Sequence, residues 1–196
     1  FGSSGGGSVN VGSPSVQSYR EGRLIIHVMD AAANRELWFG SIAGSIEKSR
    51  LDADAVARAV ALGKVANVLQ WRGQLDEALR LRTEGLAVFE RLGDERERAV
   101  TLGKIAEIRF SRGEVDEAFR LWRDEVVPAF DRLGAARERA MALGQMAQVL
   151  ALRGQIDDAL RLHREEELPV YERLGAVRER AITQGRVADL LAAKGL

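Results

Sequence analysis

Cysteine is absent from this 196-residue chain, which excludes disulfides, thiolate-bound zinc and a cysteine nucleophile. Net charge is absent as well: 29 Lys and Arg balance 29 Asp and Glu. With no long basic run, the counterion release that drives nucleic-acid binding has no source, nor has attraction to an anionic membrane. No apolar run approaches the roughly 18 residues of a membrane span. Histidine occurs twice, as His27 and His163, in different regions of the chain. No nucleophile–base pair and no cluster of ligating side chains stands out, so no enzyme activity, cofactor or metal is expected. The chain begins at Phe1 rather than methionine, and a preceding segment is therefore expected.

The composition changes near residue 50. Residues 1–19 are rich in glycine and serine and carry no charge, which suits a flexible or extended arm. "GRLIIHVMD" and "ELWFGSIAGSI" follow, joined by "AAANR". Their β-branched and aromatic residues predict a β-hairpin over residues 20–50. A lone hairpin is marginal in water, so it needs further strands, the helices or another chain. Trp38 and Phe39 are adjacent and face opposite sides of a strand, so one of them serves helix packing or an interface.

From about Leu51 the pattern is helical and repetitive. Gly63, Gly103, Gly144 and Gly185 recur at steps of 40, 41 and 41, and Gly73, Gly113, Gly154 and Gly195 at the same steps. Ala66, Ala106 and Ala147 keep this register, as do Ala78, Ala118 and Ala159. Interlocked series at one period mark a repeat array. Each unit carries two apolar stripes at helical spacing, with small residues where two helices approach closely. "RGQLDEA", "RGEVDEA" and "RGQIDDA" mark the turn between the helices, with glycine as a left-handed cap and acids opening the second helix. One pair cannot bury its stripes alone, so the units must stack into a solenoid.

"VANVLQWRGQLDEALRL" resembles tetratricopeptide repeats, in the alanine before the turn, the turn glycine and the second-helix alanine. Those are Ala66, Gly73 and Ala78, and then their counterparts in the next two units. The resemblance covers residues 56–196 and implies about 3.5 helix pairs. The period exceeds the family's usual 34, and the proline that usually follows the second helix is missing. Pro128 and Pro169 instead lie within the second helices of units one residue longer than the first, which predicts a local bulge or kink. It either shapes a surface or is tolerated drift.

"SVQSYREGRLIIHVMDAAANRELWFGSIAGSI" resembles the closing strands of a bacterial envelope lipoprotein domain of unknown function. Tyr19 with Gly22, Asp30, and Trp38 with Gly40 carry that likeness, which spans residues 8–58. It implies a location in the bacterial envelope or outside the cell, although tetratricopeptide arrays are equally at home in the cytoplasm.

The expected fold is therefore α+β and mostly α: an arm over 1–19, a β-hairpin or small sheet over 20–50 and a TPR-like α-solenoid over 51–196. His163 falls at or beside the position of Arg82 and Arg123, and is expected on a solvated helix face. Glu165, Glu166 and Glu167 point in different directions along a helix and are read as solvated too. The expected function is a non-enzymatic scaffold for protein partners, foremost copies of itself joined head to tail into a filament or ring. The candidate interface residues are Val9, Val11, Val16, Ile25, His27, Trp38 and Phe39 at one end, and Val187, Leu190, Leu191 and Leu196 at the other. The alternative is a monomeric adaptor that takes a peptide or partner domain in its groove.

Overall fold

The computed structural model describes the backbone of residues 15–20, 23–30, 35–43 and 45–195 and the side chains of residues 52–195. The chain forms two compact units, Phe1–Ala57 and Arg58–Leu196.

The second unit is built from seven helical rods. The first helices of the repeats are α1 Ser45–Trp71, α3 Glu95–Ser111, α6 Ala136–Leu152 and α9 Val177–Ala193. The second helix of the first repeat is α2 Leu75–Leu92. In the next repeat α4 Val115–Leu121 passes through a π-turn, Trp122–Val126, into α5 Val127–Arg132. In the third, α7 Ile156–Arg161 passes through the π-turn Leu162–Glu167 into α8 Leu168–Arg173.

The expected α+β class is corrected by this arrangement. The unit that the repeats define is all-helical, and no β-hairpin belongs to it. Residues 45–50, counted above within the hairpin, are helical instead. In the first unit the backbone runs as β1 Ser15–Arg20, β2 Arg23–Asp30 and β3 Arg35–Ala43, antiparallel and in that order. β1 begins at Ser15, within the expected arm.

Glycine at the turns has a conformational cause. Gly113 sits at φ 83° and Gly154 at φ 74°, left-handed angles that a side chain disfavours. The residue after each then donates its N–H back to the helix, Glu114 to the Arg109 carbonyl and Gln155 to the Leu150 carbonyl, both at 2.9 Å. Between the first two repeats Asp94 caps α3, accepting the N–H of Glu97 at 3.0 Å.

The alanines of the repeat signature are the points of closest contact: Ala66, Ala78, Ala106, Ala118, Ala147 and Ala159 are fully buried. Around them pack the larger groups. Leu81 and Ile108 join Ala66 and Ala78, while Trp122, Val126, Phe130, Met146 and Val149 form the central cluster.

The one-residue difference between repeats is absorbed in the π-turns. Gly73 and Gly93 lie 20 residues apart, whereas Gly113 and Gly134 lie 21 apart, as do Gly154 and Gly175. The extra residue widens a single turn, so that Val127 N–H reaches the Trp122 carbonyl and Leu168 N–H reaches that of His163. Pro128 and Pro169 come directly after. A proline ring crowds the carbonyl four residues back and offers no N–H. The wide turn relieves that clash, so bulge and proline are one device.

The helical glycines differ in what faces them. A Cβ on Gly144 would lie 2.7 Å from Glu167 Oε1, whereas one on Gly185 would meet nothing within 4 Å. Gly144→Ala should therefore cost about 1–3 kcal/mol through overpacking. Gly185→Ala should stabilise by about 0.5–1 kcal/mol through helix propensity. Thermal unfolding followed by circular dichroism checks both signs.

Candidate protein-binding groove

The first helices align the same positions repeat after repeat. One row is Val60, Val100, Met141 and Ile182; four residues further along each helix is Lys64, Lys104, Gln145 and Arg186. Val60, Met141 and Ile182 are exposed despite being apolar, and Val100 is half-buried. Between α3 and α6 this row borders a cavity of about 110 Å³. Its walls are Val100, Gly103 and Lys104 from α3 and Glu138, Met141 and Ala142 from α6, and its floor is Trp122, Val126 and Phe130. Lys104 is not a free cation, since it donates to both carboxylate oxygens of Glu107 at 2.9 Å. The groove is apolar at its base and charge-balanced at its rim.

One step of 41 residues carries that floor onto His163, Glu167 and Tyr171. His163 and Glu167 are only 2% and 3% exposed, and His163 Nδ1 lies 2.6 Å from Glu167 Oε2. Both readings of these residues as solvated are corrected. His163 stands where Trp122 stands one repeat earlier, on the buried stripe of its helix, and the widened turn carries Glu167 inward. Burying a charge is tolerated only with partners. Glu167 has them in His163 and in Tyr171, whose hydroxyl donates to it. Gly144 supplies the room by lacking a side chain. Glu166 is half-buried and pairs with Arg139 at 3.0 Å, whereas Glu165 is exposed.

Ion pairs stitch the repeats together at their ends. Arg96 reaches Glu138 at 2.6 Å, and Arg137 pairs with Glu179 in the same register. At the other end Arg112 pairs with Asp76 at 3.1 Å, Arg153 with Asp116 and Lys194 with Asp157. These pairs are largely exposed and fix register more than stability.

Of the interface residues expected from sequence, Val9, Val11 and Leu196 lie outside the described residues. Val16, Ile25, His27, Trp38 and Phe39 lie in β1, β2 and β3, and their side chains are outside the described set. Val187 is buried, and Leu190 packs on Ala147, Leu150 and Ala159, so both face the preceding repeat. Leu191 is half-buried, while Gly185 and Ala188 on α9 are exposed. Val60, Val100, Met141 and Ile182 were not singled out from the sequence. Their signal was there: an apolar side chain at one register position, outside the buried stripe, in four repeats.

Among the described residues no group of three acidic, histidine or cysteine side chains converges to hold a metal. No described helix is long and apolar enough to cross a membrane. The Tyr171 hydroxyl is pushed above the ordinary tyrosine range, first by burial and then by the Glu167 carboxylate. A raised folded-state pKa stabilises the protein fully below the unfolded value, about 10, and less as pH climbs beyond it. Melting temperatures measured from pH 8 upward should accordingly fall above pH ~10, and Tyr171→Phe should flatten that part of the decline.

Residues 57–124 match the tetratricopeptide repeat family. No curated protein matches the chain. Solved structures do: the putative kinesin light chain of Podosopora anserina, with nearly identical TPR-like repeats, is 21% identical with a TM-score of 0.60. The match covers 70% of this chain and 67% of that one. Its Q17M variant is similar at 22% identity and the same TM-score and coverage. These likenesses concern the fold, and they do not extend to the lipoprotein resemblance of residues 8–58. Residues 57–124 thus carry the tetratricopeptide repeat, within a helical-repeat unit of TPR-like fold.

Proposed function

We propose that this protein is a binding module whose first-helix groove takes a segment of a protein partner. Tetratricopeptide repeats are in general protein–protein interaction modules. The observation that carries the reading is the apolar row of exposed Val60, Met141 and Ile182 and half-buried Val100, which borders the cavity between α3 and α6. Apolar side chains held in register along a groove suit a peptide with apolar anchors at regular spacing. The floor beneath is rigid, because Trp122 and Val126 belong to the central core. Peptides selected from a random display library against the full chain provide the test. Val60→Glu with Met141→Glu, both exposed, should weaken their binding at least tenfold and leave the melting temperature within a few degrees. Selected peptides that ignore this double change would exclude the groove.

Self-association is a second reading, favoured by α9. Gly185 and Ala188 are exposed there, whereas their counterparts Gly144 and Ala147 are buried beneath a second helix. Light scattering over a concentration series should then reveal growth that Ala188→Glu abolishes. A particle mass that stays at one chain throughout would remove this reading.

A further inference from the structure

The face of α1 that carries Val65, Val68 and Arg72 lies to one side of the groove. Val65 and Val68 are 50% and 44% exposed. In the later repeats the same two positions are Ile105 and Ile108, Met146 and Val149, then Val187 and Leu190. All of these are buried except Leu190, which is half-buried. In each case the second helix of the preceding repeat covers them. Ile108 packs with Ala78 and Leu81, Met146 and Val149 with Ala118 and Trp122, and Leu190 with Ala159 and Leu162.

A charge accompanies the apolar contact every time. The cation that ends the first helix pairs with an aspartate opening the covering helix: Arg112 with Asp76, Arg153 with Asp116, Lys194 with Asp157. The corresponding cation of α1 is Arg72, which is exposed. No ion pair to it occurs among the described residues. The covering helices share one short text: Asp-Glu-Ala-Leu-Arg-Leu at 76–81, Asp-Glu-Ala-Phe-Arg-Leu at 116–121 and Asp-Asp-Ala-Leu-Arg-Leu at 157–162.

We propose that the Val65–Val68–Arg72 face of α1 docks a partner helix of this same chemistry, the second helix of a repeat-type protein. Its aspartate meets Arg72, and its alanine and leucines cover the valines. Three internal interfaces of this molecule specify the occupant, because shape and charge recur together at each. Trp71, 85% exposed at the edge of this face, adds apolar area where its counterparts are Ser111, Leu152 and Ala193. The site is separate from the groove and does not depend on it.

The test uses the full chain and a fluorescent, side-chain-stapled helical peptide copying residues 74–93, read by anisotropy. Stapling removes peptide helicity as a limit. Saturable binding is expected. Val65→Glu with Val68→Glu should weaken it at least tenfold, and these exposed changes should leave the circular dichroism unaltered. Arg72→Asp should weaken it several-fold, and a peptide carrying Asp76→Arg should recover that loss. Ala188→Glu on α9 should have no effect. Absence of saturable binding would overturn the proposal, as would indifference to the valine changes or loss through Ala188→Glu. Dimers abolished by the valine changes would make a second copy the occupant and equally overturn it.

Discussion

The structure depends on how closely the two helices of each repeat approach one another. Ala66 and Ala78, and the matching pairs one and two repeats later, are fully buried together where the helices pack. With alanine at the crossing, the larger side chains on either side can meet and interdigitate. A bulkier residue at any of these points would lever the helices apart and expose the leucines beside them. The helical glycines extend this role. Gly63 faces Arg82, Gly103 faces Val126 and Gly144 faces Glu167, so one small position admits three different chemistries from the second helix.

That tolerance explains how nearly identical repeats present a graded interior. The middle repeat has an apolar floor of Trp122, Val126 and Phe130. The next has His163, Glu167 and Tyr171 in the same places, bonded to one another. The Glu167 side chain is held there because His163 Nδ1 and the Tyr171 hydroxyl both reach it, each from about one helical turn away. The π-turns are part of the same arrangement. They accommodate Pro128 and Pro169, and they bring Val126 and Glu167 to face α3 and α6 across the helical glycines.

The fold of the repeat unit was legible because its determinants are periodic. Gly73, Gly113 and Gly154 announce turns through a backbone angle that other residues resist. The buried alanines announce contacts through their spacing. The extra residue beside each proline correctly pointed to a local bulge, now located at Trp122–Val126 and Leu162–Glu167. The reading of His163 failed for a related reason. In sequence it falls at or beside Arg82 and Arg123, where charged side chains suggest solvent. Alignment on the turn glycine places it with Arg82, which is half-buried, and with buried Trp122 rather than Arg123. A one-residue slip moves a helical side chain by about 100°, enough to exchange solvent for core. The expectation of an α+β fold failed because strand-like composition near residues 20–50 says nothing about which compact unit a segment joins, and residues from Ser45 onward are helical.

By itself the sequence determined the repeat period, the turn positions and the two buried stripes of each unit. These are local consequences of residue size and backbone preference, repeated often enough to stand out from chance. Only the tertiary structure decided which surfaces those repeats leave open. The row Val60, Val100, Met141 and Ile182, and the face of Val65 and Val68, have compositions typical of buried stripes. Their exposure follows from what packs beside each helix in space, and a helix carries no record of its neighbours beyond the side chains it offers them.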